Sequence, residues 1–374
     1  MSDTTSQAPL AGLRVLELAR ILAGPWAGQT LADLGADVLK IESPEGDDTR
    51  KWGPPFIEGE DGATSAAYFH ACNRSKRSAV VDFRTEAGRD TIRRLVADAD
   101  VVIENFKRGG LAKYGLDYDS LAAINPRLVY CSITGFGQTG PYADRAGYDF
   151  IIQAMSGIMD LTGEPDGPPQ KMGVAFADIF TGLYSTIAIQ AALAEREKSG
   201  LGQHIDMSLL DCMTGVLANQ AMNYLASGKT PKRMGNRHPN ITPYEAVPVS
   251  DGWIILAVGN DKQFERFCGV VGLKAAPGWA SNSGRIEDRD RLGRMIAEHT
   301  AHWTRDDLLQ ALEAATVPAG PINSVEDALR DPQIVARGLA GPDGLNSPIR
   351  FSRSGTISGR APALGESDPD WQER

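Results

Sequence analysis

The first 134 residues alternate short apolar runs with helical stretches, an order that predicts a mostly parallel sheet covered by helices. Residues 13–18, 36–42, 79–83, 100–104 and 128–133 read as buried strands. Between them, residues 23–34 form a small-residue helix beginning after Gly24-Pro25, residues 66–71 a short helix, 86–97 an amphipathic one and 121–124 another helical stretch. Ligands of such sheets bind beyond the carboxyl ends of the strands. Basic residues recur near those ends: Asn73-Arg74-Ser75-Lys76-Arg77-Ser78, Arg84, Lys107-Arg108 and Lys113. Together they offer a local patch for a small polyanion, although any one cluster reads equally well as charges that solvate a turn.

The second half keeps the α/β character. A helix is expected from Asp178 to Glu197, a strand over 203–207 and one long helix from Leu209 to about Ala226. A Gly/Pro/Asn-rich connection over 228–240 then precedes a strand at 253–258 and a helix near 263–271. This organisation divides the chain into residues 1–200, the N-terminal part of a large domain; 201–224, a linker helix; 225–320, a smaller α/β domain; and 321–374, which returns to the large domain.

Composition narrows the function. A formal net charge of −10 opposes non-specific nucleic-acid binding. Cys72, Cys131, Cys212 and Cys268 are widely spaced and lack C-x-x-C pairing, so free buried thiols are expected rather than disulfides or zinc. His70, His204, His238, His299 and His302 include no metal-type pair with a supporting acid, and no metal site is expected. The most apolar helix, around 187–193, is interrupted by Gln190 and closes on Glu195-Arg196-Glu197-Lys198, so no membrane span is expected. The polar, acid-bearing N-terminus shows no targeting pattern, and cytoplasmic residence is the expectation.

Asp178 is the best candidate for a chemical centre. It lies between Gly173-Val174-Ala175-Phe176-Ala177 and Ile179-Phe180-Thr181-Gly182, where small residues let backbones approach and apolar ones exclude water. Its position ahead of an apolar helix also fits a plain N-cap. Gly135-Phe136-Gly137-Gln138-Thr139-Gly140 matches G-x-G-x-x-G, but the turn-like Pro141 to Gly147 follows where a dinucleotide fingerprint opens a helix, so a nicotinamide enzyme is not expected. No phosphate-binding G-x-x-x-x-G-K-[ST] and no G-x-S-x-G elbow occur.

A series of segments in order resembles the class III coenzyme A transferases, a family that includes formyl-CoA transferase, carnitine CoA-transferase and the α-methylacyl-CoA racemases. The segments are Leu10 to Leu16, Leu22-Ala23-Gly24-Pro25, Asp33 to Glu42, Asn73 to Ser78, Glu104-Asn105-Phe106, Gly135 to Tyr142, Gly200-Leu201-Gly202-Gln203, Pro318-Ala319-Gly320-Pro321 and Ala363-Leu364-Gly365-Glu366. The resemblance implies a Rossmann-like large domain formed by both chain ends, a smaller α/β domain and an interlocked homodimer. It makes Asp178 the nucleophile that carries CoA as an aspartyl thioester. Backbone N–H groups near Asp178 and glycines of the smaller domain would then serve the oxyanions, and the helix start would hold the carboxylate ionised. No permanently bound cofactor is implied: acyl-CoA and a carboxylic acid are the substrates.

By position, the adenosine and phosphate end of CoA would meet Ser43, Val81, Arg84, Asn105, Phe106 and Lys113, and pantetheine would pass Leu22, Ala23, Arg145, Ala146 and Tyr148. Ser43 and Leu22 depart from the formyl-CoA transferase pattern, where an arginine and a glutamine can stand. Racemases of the family carry Gly-His-Asp where this chain has Gly147-Tyr148-Asp149, and tyrosine is a poor base near neutrality, so racemisation is the alternative that loses its partner. A non-catalytic acyl-CoA-binding relative, with Asp178 only a cap, is the other alternative. Among transferases the chain looks most like the branch that uses succinyl-CoA with glutarate or related dicarboxylic acids. For the second carboxylate of such a substrate the candidates are Arg50, Asp149, Arg233, Gly235, Asn236, Arg237 and His238.

Overall fold

The structure is a computed structural model that describes residues 8–59 and 62–371. The chain divides into two compact units, one of Met1–Ile158, Lys171–Ala226 and Gln333–Arg374, the other of Met159–Gln170 and Ser227–Pro332.

The larger unit opens with β1 (Arg14–Glu17), α1 (Ala23–Asp33) and β2 (Asp37–Glu42). A small hairpin of β3 (Phe56–Glu58) and β4 (Thr64–Ala66) leads into α2 (Ala67–His70), β5 (Arg77–Val80), α3 (Glu86–Ala97) and β6 (Val101–Glu104). Then follow α4 (Tyr118–Ala122), β7 (Val129–Thr134), α5 (Asp149–Met155), α6 (Ile158–Leu161), α7 (Phe176–Ser199) and β8 (His204–Ser208). The main sheet is parallel throughout, in the order β5-β2-β1-β6-β7-β8, with Arg14 opposite Asp37 and Val15 opposite Val101. Chain direction across the sheet reverses between β1 and β6, which places the topological switch point at their carboxyl ends.

Alternation along each strand feeds two cores. Val15, Val38, Val101, Ile103, Val129, Cys131 and Ile133 face α1 and α7. Leu16, Leu39, Ile41, Val102 and Tyr130 face Ile92, Leu95 and Val96 of α3. Helix α7 runs for 24 residues, longer than expected because it begins at Phe176 and continues to Ser199; by length and composition it would meet the requirement for a membrane span, and here it packs on α1, α5, α8 and two strands. The single helix expected from Leu209 to Ala226 is two, α8 (Leu209–Gly215) and α9 (Ala218–Ser227), parted at Ala218 with φ +46°. With β8 inside the sheet, residues 201–224 are thus not one linker helix. Near the chain end, Ser75 N–H donates to Arg360 O, Ser367 N–H to Ser78 O and Trp371 Nε1 to Leu95 O.

The second unit holds β9 (Tyr244–Val249), β10 (Gly252–Ala257), α10 (Asp261–Val271), α11 (Asn282–Glu287), α12 (Arg289–Thr300), α13 (Arg305–Ala314) and β11 (Ala319–Pro321). Its sheet is antiparallel, in the order β11-β10-β9, over Phe264, Phe267, Trp279, Ile296 and Leu312. Residues 159–170 join it, a distant piece that local patterning does not show: Gly235 N–H donates to Gly163 O, and Arg233 binds Asp160 at 2.9 Å.

Candidate active site

The carboxyl ends of β5, β2, β1 and β6 share one edge of the sheet, so Val81, Ser43, Leu22, Ala23, Asn105 and Phe106 come to the same side although 83 residues of sequence separate Leu22 from Asn105. At the switch point, Arg20 N–H donates to Asn105 Oδ1 (2.9 Å) and Asn105 Nδ2 donates back to Arg20 O (2.6 Å). Between these clamps and α1, Ile21 is held at φ +71°, an outlier for a β-branched residue, with its N–H on the Asp47 carboxylate. Leu22 is the N-cap of α1 and offers no side-chain cap, so this helix start keeps donors for an anion. Phe106 packs edge-on against Phe83, Phe83 against Tyr114, and Lys113 Nζ lies 4.8 Å from the Tyr114 ring, which draws Lys113 to the same aromatic wall. Beneath the wall Glu104 accepts from Phe106 N–H at 2.8 Å, and burial pushes its carboxyl up to about 7. Arg84 is exposed and bound to Asp82. Arg145 and Ala146 sit on the exposed loop after β7, where the Gly135 and Gly147 backbones press together so closely that a Cβ on Gly135 would lie 2.6 Å from Gly147 Cα. Those glycines serve this contact, and no helix opens before α5, which removes the dinucleotide reading in structural terms.

The basic run from Asn73 to Ser78 is not a patch for ligand. Lys76 is buried on Glu17 at 2.8 Å, Arg74 pairs with Asp33 at 3.3 Å and Arg77 with Asp37 at 2.8 Å. Arg50 is likewise withdrawn from the substrate candidates, because its guanidinium is buried in a two-pronged bond to Glu42 (2.8 and 2.7 Å) and caps the Phe69 ring. These pairs surround Lys40, whose ammonium meets Glu17 and Asp47 at 3.0 Å each and Ala19 O at 2.8 Å. Burial alone would lower Lys40, but Glu17, Asp47 and Glu42 together hold it above its usual range.

Asp178 occupies the third position of α7, not its cap. The N-cap is Ala175, which has no side-chain partner; the capping carboxylate is Asp149, whose Oδ1 accepts from Ala177 N–H (2.8 Å) and, at longer range, Asp178 N–H (3.4 Å). Phe176 N–H goes to Val174 O and Ile179 N–H to Ala175 O, so the donors expected to serve an oxyanion around Asp178 are already occupied. Asp149 is equally occupied: Gln153 Nε2 donates to its Oδ2 at 2.7 Å, which removes it from the substrate-contact candidates. Burial first, and the Asp149 charge second, push the Asp178 carboxyl up to about 7, so the environment outweighs the helix start that was expected to keep it ionised. One turn on, Gly182 allows α7 to touch α1. A Cβ there would stand 2.7 Å from Ala23 O and 2.9 Å from Trp26 Cβ, and this contact brings the Asp178 end of α7 to the Leu22–Ala23 end of α1. Tyr68 of α2, unnoticed in the sequence, feels both Asp178 and Asp149 and is pushed up to about 12, mainly by burial. Tyr148, the N-cap of α5, is 66% exposed.

The remaining substrate candidates, Arg233, Gly235, Asn236, Arg237 and His238, lie on one loop of the second unit. There Arg237 is bound to Glu245 and Asp290, and His238 Nδ1 accepts from Asn240 N–H.

The six-stranded parallel sheet fits the α/β class, and the chain matches CoA-transferase family III over residues 10–368. It belongs to that family and is a CoA-transferase. Among curated relatives, "Succinate--glutarate CoA-transferase" of Agrobacterium fabrum is 59% identical over 96% of this chain and 93% of its own. "Succinyl-CoA:glutarate CoA-transferase" of Mus musculus is 41% identical over 90% and 77%. Among solved structures, a CAIB/BAIF family protein from Brucella suis superposes with a TM-score of 0.89 at 65% identity, covering 96% and 97%.

Proposed function

We propose that this enzyme moves CoA from succinyl-CoA, or a close analogue, to a second dicarboxylic acid through an aspartyl-CoA thioester on Asp178. The observation that carries the reading is a carboxylate with no cationic partner among the described residues, raised toward neutrality where α7 meets α1. A more basic carboxylate is the stronger nucleophile. Its oxygen attacks the thioester carbonyl and expels CoA thiolate, leaving a mixed anhydride. The thiolate then attacks the Asp178 carbonyl carbon, releasing the donor as its free acid and forming the aspartyl thioester. The acceptor carboxylate attacks that thioester, CoA thiolate leaves again, and its attack on the acyl carbonyl of the new anhydride yields the product thioester and restores Asp178. Small neighbours and an apolar surround keep water from the anhydride.

The relatives' names supply the dicarboxylate reading. Adenosine and phosphates are assigned to the edge carrying Ser43, Val81, Arg84, Asn105, Phe106 and Lys113, pantetheine to Leu22, Ala23, Arg145, Ala146 and Tyr148, and the second carboxylate to Gly235, Asn236 and His238, with Arg233 and Arg237 as cations already balanced by acids. A homodimer, interlocked as the family resemblance implies, accounts for the exposed apolar side chains Phe150, Ile151, Leu183, Ile187 and Leu225. Incubation with succinyl-CoA followed by hydroxylamine or borohydride should mark Asp178 by peptide mass, and Asp178→Ala should abolish exchange between succinyl-CoA and glutarate. An active alanine variant overturns the reading; size-exclusion chromatography with light scattering tests the dimer.

A further inference from the structure

Two acids meet at the start of α7, and only one has the freedom to react. Asp149 stands at the first position of α5, with both carboxylate oxygens engaged: Oδ1 by the Ala177 and Asp178 N–H groups, Oδ2 by Gln153. Gln153 is completely buried, and it also accepts from Met172 N–H at 2.9 Å through Oε1 and reaches Val174 O at 3.5 Å. One glutamine therefore ties together the capping acid and the small-residue segment leading into the nucleophile's helix. Helix α7 has no cap of its own, since Ala175 cannot accept a hydrogen bond through its side chain.

We infer that Asp149, held by Gln153, is a positioning residue: it caps α7 from α5, fixes the backbone of Asp178, and sets a second negative charge beside the attacking carboxylate. This rests on Asp178 being the nucleophile. The cap serves geometry, because a reacting atom displaced by about 1 Å can cost roughly a hundredfold in rate. The charge serves reactivity, because a neighbouring anion makes Asp178 more basic and so a better nucleophile once ionised.

Other groups around α7 leave this role to Asp149. The packed elements carry Asp33 on α1, Asp211 and Cys212 on α8, Cys131 on β7, and His204 and Asp206 on β8. Beyond burial, the Asp149 charge raises Asp178, and Tyr68 of α2 is acted on by both acids.

The test compares Asp149→Asn, Asp149→Ala and Gln153→Ala in the full-length enzyme, reading kcat and KM against pH with succinyl-CoA and glutarate. Asparagine keeps an oxygen for the two N–H groups and removes the charge. Its acid limb should therefore move to lower pH, with kcat at the optimum within about tenfold of the parent. Alanine removes cap and charge together, and kcat should fall about a hundredfold with KM little changed. Gln153→Ala should fall between them. An acid limb that stays in place in Asp149→Asn overturns the electrostatic half, and a parental kcat in Asp149→Ala overturns the positioning half. If the alanine variant does not fold, Gln153→Ala decides the positioning half, a parental kcat overturning it, and Asp149→Asn decides the electrostatic half through its pH profile. Trapping of Asp178 separates the two readings: a marked Asp178 with unmoved profiles refutes only the role of Asp149.

Discussion

The larger unit withdraws carboxylates from water in several places, and two of these it treats in opposite ways. Under α1, Glu17, Glu42 and Asp47 are each met by a cation, with Lys40, Lys76 and Arg50 within 2.7–3.0 Å. At the start of α7, desolvation first and the Asp149 charge second push the Asp178 carboxyl up to about 7. Desolvation is common to both, complete in the first and partial at Asp178, and it reaches Glu104 as well, so desolvation alone does not mark chemistry. What separates them is compensation: the first group is paired with cations, whereas Asp178 is raised toward neutrality beside a like charge, which suits the nucleophilic role proposed for it.

Removing compensation from the first region should produce the largest effect. Glu17→Ala leaves Lys40 and Lys76 facing each other in the interior, and unfolding in urea should show a loss of about 3–5 kcal/mol. If stability survives, the cluster is not the scaffold that its geometry describes. Gly182→Ala attacks the second region through packing. Its new Cβ would press on the Ala23 carbonyl, and because a backbone oxygen cannot swing aside, a loss of about 1–3 kcal/mol accompanied by slower exchange is expected.

Asp178→Asn sharpens the comparison by its sign. The folded carboxyl titrates at about 7 against 3.8 for the ordinary value, so the native state binds the extra proton between these limits. Stability contributed by that proton is present at low pH and is lost as pH rises toward 7. The variant should therefore melt above the parent at pH 8, by roughly 1–2 kcal/mol after allowance for solvent screening, and with it at pH 4. Glu42 and Asp47, held below the carboxylate range, follow the reverse rule, and their contribution is lost as pH falls through their folded values. The smallest effect belongs to Arg84→Ala on the exposed edge: the melting curve should not move, while the Kd for CoA measured by calorimetry rises roughly three- to tenfold and the difference fades in high salt.

Much of the sheet was legible because strand and helix periodicities are local. β1, β2, β6 and β7 fall within two residues of where the apolar runs place them, and α3 falls on its expected residues. The misses are tertiary. The strand expected at 79–83 pairs instead over Arg77–Val80, where Leu39 to Glu42 supply its partners. The expected long helix parts between Gly215, the last residue of α8, and Ala218, a break that the apolar pattern running across it conceals. Residues 159–170 belong with a unit that resumes nearly sixty residues later.

For the site, sequence by itself determined the alternating elements, hence the parallel sheet and the edge where Leu22, Ser43, Val81 and Asn105 gather, and it set Asp178 among small residues at a helix start. It could not rank the acids. Asp47 precedes the short helical turn Asp48–Lys51, Asp149 opens α5 and Asp178 stands in the first turn of α7, and nothing local separates the three. Only the tertiary structure decided that Asp47 answers to Lys40, that Asp149 caps a helix 28 residues away, and that Asp178 is left uncompensated. The physical reason is range: periodicity and capping signals act within a turn or two, whereas a buried carboxylate's energy depends on whichever charges folding brings within a few ångströms.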